Sequence, residues 1–245
     1  MKQILFFLSL GLVTLFFSCE EESIAPTPVD LQSDFYPLTV GKTWIYSTDS
    51  IVYNFQLKTI DTLRGFMREE ITESFETASG STNFVIERSF RRSDDQLWNI
   101  TDIYSASIID NKATRNEENL RFVKLLLPPV KGQKWDGNQF FDESTLVNIN
   151  GELIEVFKNW ESEILSIGES ATVNGIDYTN TIEVILVDTE NSIEKRYAKE
   201  VYAKGVGLIS REMIIIDSQD VGSGLPIIER PEKGFILNQS LIQSF

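Results

Sequence analysis

The sequence contains no histidine and only one cysteine, Cys19, in 245 residues. A chain without histidine lacks the usual general base of a Ser-His-Asp triad and the commonest ligand of zinc and copper sites. A single thiol cannot form an intramolecular disulfide or hold an iron–sulfur cluster. The nucleophile-elbow, Walker A and dinucleotide-binding signatures are also missing. We therefore expect a protein that is not an enzyme and that uses no cofactor or metal ion.

Basic side chains are scarce, with 22 Lys and Arg against 37 Asp and Glu, a net charge of −15. Such a chain is repelled by nucleic acid and by anionic membrane surfaces, so we expect neither as a partner of the folded part. The acids leave a carbohydrate-active enzyme as the least favoured alternative, because a glycosidase needs two carboxylates facing each other about 5–10 Å apart. The candidate acids resemble solvated strand ends: Glu69, Glu70, Asp94 and Asp95.

The stretch DTENSIE places oxygen-bearing side chains at alternate positions, namely Asp188, Glu190, Ser192 and Glu194. An EF-hand loop has glycine where this stretch has Ile193, and it ends on a glutamate that is missing here. The sequence therefore predicts a polar hairpin tip rather than a calcium site.

Long apolar runs are limited to residues 4–17, which are 14 residues long. At about 1.5 Å per residue such a helix spans about 21 Å, which is short of the roughly 30 Å of a bilayer core. The run fits the apolar region of a secretory signal peptide. No second run of this kind follows, so we expect nothing else in the chain to span a membrane.

Cys19 follows the apolar run directly, in LFFSCEEES. This stretch resembles the lipobox of bacterial lipoproteins, although Phe16 and Phe17 stand where the commonest pattern has a leucine and a smaller residue. The resemblance implies that residues 1–18 are a cleaved signal peptide and that Cys19 carries the lipid that anchors the protein to a membrane. The alternatives are a plain signal peptide with a chance cysteine and an uncleaved anchor.

Three glutamates, Glu20 to Glu22, follow the cysteine. They form a solvated linker or, by resemblance, the acidic export signal of Bacteroidetes-type surface lipoproteins. That resemblance implies an outer-membrane protein at the cell surface, with the periplasmic face as the alternative. Residues 19–34 are predicted to be a lipidated, acidic, proline-containing tether, and residues 35–217 a β-rich domain. Residues 218–245 form a loop-rich tail that packs on this domain or adds a last strand.

Alternation of apolar and polar residues with a period of two recurs along the domain. Ile182, Val184 and Leu186 share one face of a predicted strand. Phe84, Ile86 and Phe90 share another, which Arg88 interrupts. Such half-buried strands are typical of antiparallel sheets.

Asn-Gly pairs at residues 150–151 and 174–175 are strong hairpin signals, because both residues tolerate positive φ. Residues 116–129 fit either a helix that Pro128 ends or a buried strand, and we favour the strand. The sequence therefore predicts a mainly β fold, a single antiparallel meander curled into an open or closed barrel. A β-sandwich is the alternative.

The pattern P-x3-G-x2-W occurs twice, ending at Trp44 and at Trp135. Proline suits a strand entry, glycine a sharp turn, and tryptophan the cover of a barrel end. A structural role is favoured over an aromatic platform for a ligand, and we expect Trp98 and Trp160 to be core residues too.

The stretches DFYPLTVGKTWIY and YAKGVGLISRE resemble elements of Bacteroidetes-type lipoproteins. This likeness implies a β-rich envelope lipoprotein and supplies no catalytic residues. A fainter likeness, of architecture only, is to half-barrel lipoprotein carriers of the periplasm.

The leading functional hypothesis is a monomeric, non-enzymatic binding or structural module, anchored to the envelope through lipid on Cys19. The first alternative is a carrier that holds a lipid or another apolar ligand in the barrel. A wide apolar interior would favour the carrier, and a filled core would favour the binding or structural module.

Overall fold

Antiparallel strands make up most of the fold. The computed structural model describes residues 30–245, so the predicted signal peptide, the lipidation site Cys19 and the tether as far as residue 29 lie outside the described residues. The strands are β1 (Thr43–Asn54), β2 (Thr59–Glu76), β3 (Thr82–Arg91), β4 (Asn99–Ile109), β5 (Lys112–Glu117), β6 (Leu120–Leu126), β7 (Lys134–Trp135), β8 (Leu146–Ile149), β9 (Glu152–Glu155), β10 (Ser162–Val173), β11 (Ile176–Glu190), β12 (Glu194–Ala203), β13 (Gly207–Asp217) and β14 (Lys233–Ser244). Two short 3-10 helices, Ser33–Phe35 and Ile227–Glu229, complete the described elements. None of the helices described here has the length and hydropathy needed to cross a membrane.

Twelve strands form one antiparallel sheet in the order β6-β5-β4-β3-β2-β1-β14-β13-β12-β11-β10-β7. The sheet curls into a nearly closed barrel, which confirms the predicted meander and rules out the sandwich. At the seam, the two edges of the sheet meet through two hydrogen bonds. The Val123 N–H donates to the carbonyl of Gly137 (2.8 Å), and the indole Nε1 of Trp135 donates to the carbonyl of Val123 (2.9 Å).

The last strand lies in the middle of the sheet. Residues 218–245, predicted as a loop-rich tail, include β14, which pairs with β1 on one side and β13 on the other. The ambiguous segment at residues 116–129 contains β6, so the favoured strand interpretation is confirmed there. The DTENSIE stretch turns between β11 and β12, as a hairpin tip.

Both predicted Asn-Gly hairpins are confirmed. The pair at residues 150–151 joins β8 to β9, with φ of 52° and 92°, and the pair at 174–175 joins β10 to β11, with φ of 50° and 76°. Positive φ at both central residues matches the right-handed twist of the flanking strands. The β8–β9 hairpin forms a sheet of its own, and its Ile154 and adjoining Val156 pack on Ile215 of β13.

Candidate functional site: a charge cluster and a cavity inside the barrel

Seven charged side chains from six strands meet inside the barrel. We call them the inner charge cluster: Glu69, Arg88, Arg115, Glu117, Lys124, Glu200 and Arg211. Four are cationic and three are anionic, so the cluster carries one excess positive charge inside a protein whose net charge is −15. Buried charges are costly unless they are paired and hydrogen-bonded, so the partners of each charged group decide whether the cluster is stable.

Strand register creates two of the pairs in the cluster. Glu69 of β2 lies directly opposite Arg88 of β3, and Glu200 of β12 lies directly opposite Arg211 of β13. Barrel curvature supplies the other contacts, because Arg115 of β5 reaches Glu69 across two intervening strands. The cluster therefore fills part of the interior rather than coating one wall.

Glu69 is the most heavily hydrogen-bonded acid of the cluster. Its Oε1 accepts from Arg88 Nη2 and Arg115 Nη2, each at 2.6 Å, and its Oε2 accepts from Arg115 Nη1 at 2.9 Å. Burial alone would raise the pKa of Glu69, but the two guanidinium groups outweigh it and hold the pKa well below its usual range. The interpretation of Glu69 as a solvated strand end is therefore wrong, because the residue is 3% exposed.

The other candidate acids are not brought together with Glu69. Glu70 points to the other side of β2, where its carboxylate lies 4.0 Å from Arg68 and is 37% exposed. Asp94 and Asp95 are exposed in the turn after β3, and Asp94 pairs with Arg91. These three agree with the solvated interpretation.

Glu200 faces two cations. Its Oε1 accepts from Lys124 Nζ (2.7 Å) and from Arg211 Nε (2.8 Å), while Tyr202 donates its hydroxyl to Oε2 (2.5 Å). Burial opposes ionisation of Glu200, yet Lys124 and Arg211 lower its pKa to about 2. Burial lowers the pKa of Lys124, and the neighbouring charge of Arg211 lowers it further against the opposing effect of Glu200.

Two cavities adjoin the cluster. The smaller, of about 40 Å³, has room for a few water molecules and is lined by Tyr36, Glu69, Arg115 and Tyr202 among others. The hydroxyl of Tyr36 is buried and has no hydrogen-bond partner among the described residues. Burial raises the pKa of Tyr36 well above its usual range, so the group stays a neutral donor.

The larger cavity, of about 180 Å³, lies between the cluster and the β8–β9 hairpin. Lys124, Glu200 and Arg211 form its charged floor, and Glu117 and Glu118 also line it. Its apolar side includes Phe122, Phe157, Trp160, Met213 and Phe235. The rings of Phe122 and Phe157 lie 5.2 Å apart, and those of Phe157 and Trp160 lie 5.4 Å apart in an edge-on arrangement. The cavity thus joins an aromatic wall to a charged floor.

The β8–β9 hairpin and its flanking loop cover this cavity, and hydrogen bonds hold them to the barrel. Asn54 donates its side-chain amide to the carbonyl of Asn150 (2.7 Å), and the Gln56 N–H donates to Glu152 Oε1 (2.8 Å). Arg196 Nε donates to the carbonyl of Glu155 (3.0 Å). The cover is therefore fixed to the barrel wall at both ends of the hairpin.

The two copies of P-x3-G-x2-W make the same backbone hydrogen bonds. The N–H groups of Gly41 and Gly132 each donate at 2.8 Å to the carbonyl of an isoleucine, Ile71 or Ile164, on a neighbouring strand. Trp44 and Trp135 are both buried, which supports the structural role predicted for them. Trp98 and Trp160 are only partly buried, and Trp160 lines the larger cavity.

The two stretches that carry the lipoprotein resemblance pack against each other. Trp44 Nε1 donates to the carbonyl of Val206 (2.6 Å), and the Tyr46 hydroxyl donates to the carbonyl of Leu208 (3.0 Å). The N–H of Gly205 donates to the carbonyl of Asp34 (2.8 Å). These stretches therefore build one end of the barrel, beside the smaller cavity.

The sequence analysis does not predict the residues of the cavity floor. Lys124, Glu200 and Arg211 each occupy an inward position of a strand whose alternate neighbours are apolar or aromatic, such as Phe122 and Tyr202. A charge at an inward strand position is the signal that could have identified them, and the same signal marks Arg88. Within residues 30–245, no group of acidic, histidine or cysteine side chains has the geometry to hold a metal ion.

No family model matches the chain, and no curated protein is significantly similar to it. Two solved structures share a low similarity with it. One, named as an exported protein with a YmcC-like fold from Bacteroides fragilis, is 10% identical with a TM-score of 0.41, over 85% of this chain and 97% of that one. The other, named as a lipoprotein from Parabacteroides distasonis, is 11% identical with a TM-score of 0.40, over 86% and 98%. Similarity at this level does not assign the chain to a family.

Proposed function

We propose that the protein is a non-enzymatic lipoprotein, anchored to the outer membrane through Cys19 and exposed at the cell surface, whose barrel binds a small molecule. The larger cavity carries the proposal. Ligand sites are typically concave and mostly apolar, with a few polar groups that converge on the ligand. The aromatic wall beside Lys124, Glu200 and Arg211 has this composition.

Cavity size argues against a carrier of long-chain lipids. Sites for drug-sized ligands usually enclose roughly 300–1,000 Å³. The larger cavity has about 180 Å³, close to the roughly 150 Å³ of an engineered protein cavity that takes up benzene. The inner charge cluster also occupies interior volume that a long acyl chain would need. A molecule with an apolar part about as large as one aromatic ring fits best.

The buried acids support a binding role over catalysis. An acid catalyst in a glycosidase has a raised pKa, which lets it hold a proton at neutral pH. Glu69 and Glu200 have lowered pKa values, and both are held by cations. They are therefore suited to fix the geometry of neighbouring arginines and lysine, not to transfer protons.

A methyl-labelling experiment tests binding in the cavity. After removal of the signal peptide the chain keeps two methionines, Met213 in the cavity wall and Met67 elsewhere in the barrel. Titration with a neutral ring compound, 3-phenylpropan-1-ol, should shift the NMR signal of the Met213 methyl group and leave that of Met67 in place.

Two matched variants complete the test. Val147→Phe fills the cavity and should abolish the Met213 shift, while Leu146→Phe places the same ring on the exposed side of β8 and should preserve it. The binding proposal is overturned if no ring compound, neutral or charged, shifts the Met213 signal.

Lipidation is tested separately. We expect palmitate to label the wild-type protein and not Cys19→Ala, because the thiol is the attachment point that the lipobox resemblance implies. Protease treatment of intact cells should degrade a surface-exposed barrel. Full protection of a labelled protein would place it on the periplasmic face instead.

A further inference from the structure

The excess positive charge of the inner charge cluster lies at the larger cavity. Four members of the cluster balance one another: Glu69 and Glu117 face Arg88 and Arg115, with Arg115 Nε 2.5 Å from Glu117 Oε1. At the cavity floor one carboxylate, that of Glu200, faces both Lys124 and Arg211. The surplus of one positive charge therefore belongs to the cavity floor.

Hydrogen-bond donors remain available on the same two side chains. Glu200 Oε1 accepts from Nε of Arg211 at 2.8 Å, has Nη2 of Arg211 at 2.8 Å, and accepts one ammonium hydrogen of Lys124. Nη1 of Arg211 and two ammonium hydrogens of Lys124 have no acceptor among the described residues. Two further acids line this cavity: Glu117, which is paired with Arg115 and Arg88, and Glu118, whose side chain is exposed at the rim. A buried floor with surplus positive charge and unused donors is complementary to an anion.

On the basis of the binding function proposed above, we infer that the cavity takes a small carboxylic acid, with its carboxylate on Lys124 and Arg211 and a ring-sized apolar group against Phe122, Phe157 and Trp160. One carboxylate neutralises the single excess charge and can accept from a guanidinium and an ammonium together. A cation would add to the surplus, and a phosphate dianion would exceed it.

The lowered pKa of Lys124 agrees with this assignment. Burial and the charge of Arg211 disfavour the protonated amine in the unliganded barrel. A bound carboxylate would relieve this repulsion, so ligand binding and protonation of Lys124 favour each other. The acidic surface of the protein does not oppose entry strongly in salt, because exposed charges are screened beyond about 8–10 Å.

Three ligands of matched size test the inference: 3-phenylpropionate, 3-phenylpropan-1-ol and 3-phenylpropylamine. Their dissociation constants are measured on the full mature chain from the Met213 methyl shift. We expect the acid to bind about tenfold or more tighter than the alcohol, because a hydrogen bond to a charged group contributes more than one between neutral groups. The amine should bind most weakly.

Lys124→Met keeps the aliphatic stem and leaves Glu200 and Arg211 as a balanced pair, so the barrel should fold. In this variant the ratio between the alcohol and acid dissociation constants should fall towards one. Lys131→Met, at an exposed lysine, should keep the wild-type ratio.

The outcomes separate this inference from the proposed function. If the alcohol or the amine binds as tightly as the acid, or if Lys124→Met keeps the preference for the acid, the carboxylate assignment is wrong and the cavity remains a binding site. If none of the three ligands shifts Met213, the proposed function itself fails, and the inference with it.

Discussion

Trp44 donates its indole hydrogen to the backbone carbonyl of Val206, a residue 162 positions further along the chain. The tryptophan is 6% exposed, so its indole N–H has little access to water as a substitute acceptor. This hydrogen bond joins the start of β1 to the turn before β13, and it connects the two stretches that resemble lipoprotein elements. Trp135 makes the equivalent bond to Val123 at the seam.

Replacing either tryptophan by phenylalanine should therefore destabilise the barrel. Trp44→Phe removes the donor of a partly buried hydrogen bond and Trp135→Phe that of a buried one, and a buried polar group left without a partner costs about 1–3 kcal/mol. Urea denaturation followed by circular dichroism measures the loss. Trp98→Phe is the matched control, because Trp98 stacks on Arg91 at 4.4 Å and is only partly buried. A larger loss for Trp98→Phe would contradict the role assigned to the indole hydrogen bonds.

Glu69→Gln should cost about 3–5 kcal/mol in the free energy of unfolding. Removing one partner of a buried ion pair leaves the other charges uncompensated, here the guanidinium groups of Arg88 and Arg115. Glu70→Gln, one residue along the same strand, should cost less than about 1 kcal/mol, because its pair with Arg68 is long and partly exposed. Equal losses for the two variants would show that the inner charge cluster does not stabilise the fold.

Acid should destabilise the protein over a defined pH range. The pKa of Glu200 is lowered from 4.5 to about 2, so its ionised form stabilises the fold fully above about pH 4.5. That contribution is lost as the pH falls from 4.5 towards 2, and the lowered pKa values of Glu69 and Glu117 act in the same direction. Thermal unfolding midpoints measured across this range should fall.

Glu200→Gln separates this residue from the other acids. The variant should be less stable at neutral pH and should lose less stability than the wild type between pH 4.5 and 2. A parallel decline in both proteins would show that Glu200 does not contribute to the acid sensitivity.

Gly234→Ala should prevent stable folding or cost more than about 2 kcal/mol. The glycine has φ of +114°, and an added Cβ would lie 2.0 Å from the carbonyl oxygen of Ile215 on the paired strand β13. Gly222→Ala is the control, because its Cβ would meet nothing closer than Asp220 at 4.0 Å. Midpoints of thermal unfolding compare the two, and equal midpoints would contradict the close approach of β14 and β13.

The sequence predicted the strands better than the contacts between them. Alternation marked Ile182, Val184 and Leu186 as one face, and all three are buried. The Asn-Gly pairs placed two hairpins correctly because turn chemistry is local. Arg88 was visible as an interruption, but its partner Glu69 depends on the register between β2 and β3, which the alternation of a single strand does not fix.

Local sequence patterns do not predict the candidate site, because they do not show which strands face each other across the barrel. Lys124 and Glu200 are 76 residues apart and lie on strands separated in the sheet, so they meet only because the sheet curls. Gly and Pro residues around positions 222–234 pointed to loops, and they concealed that β14 completes the sheet between β1 and β13.

The central place of β14 sets the order in which the barrel can form. β1 pairs with β14, and the Ser47 hydroxyl donates to the carbonyl of Ser240 across 193 residues, so this pairing has to wait until the ribosome has added the 12 residues Lys233–Ser244. Hairpins such as β2–β3 need no such delay, whereas pairing at long sequence separation is slow because loop closure costs entropy first. In a nascent chain with this topology the hairpins can form early, but the barrel itself stays incomplete until β14 has been translated.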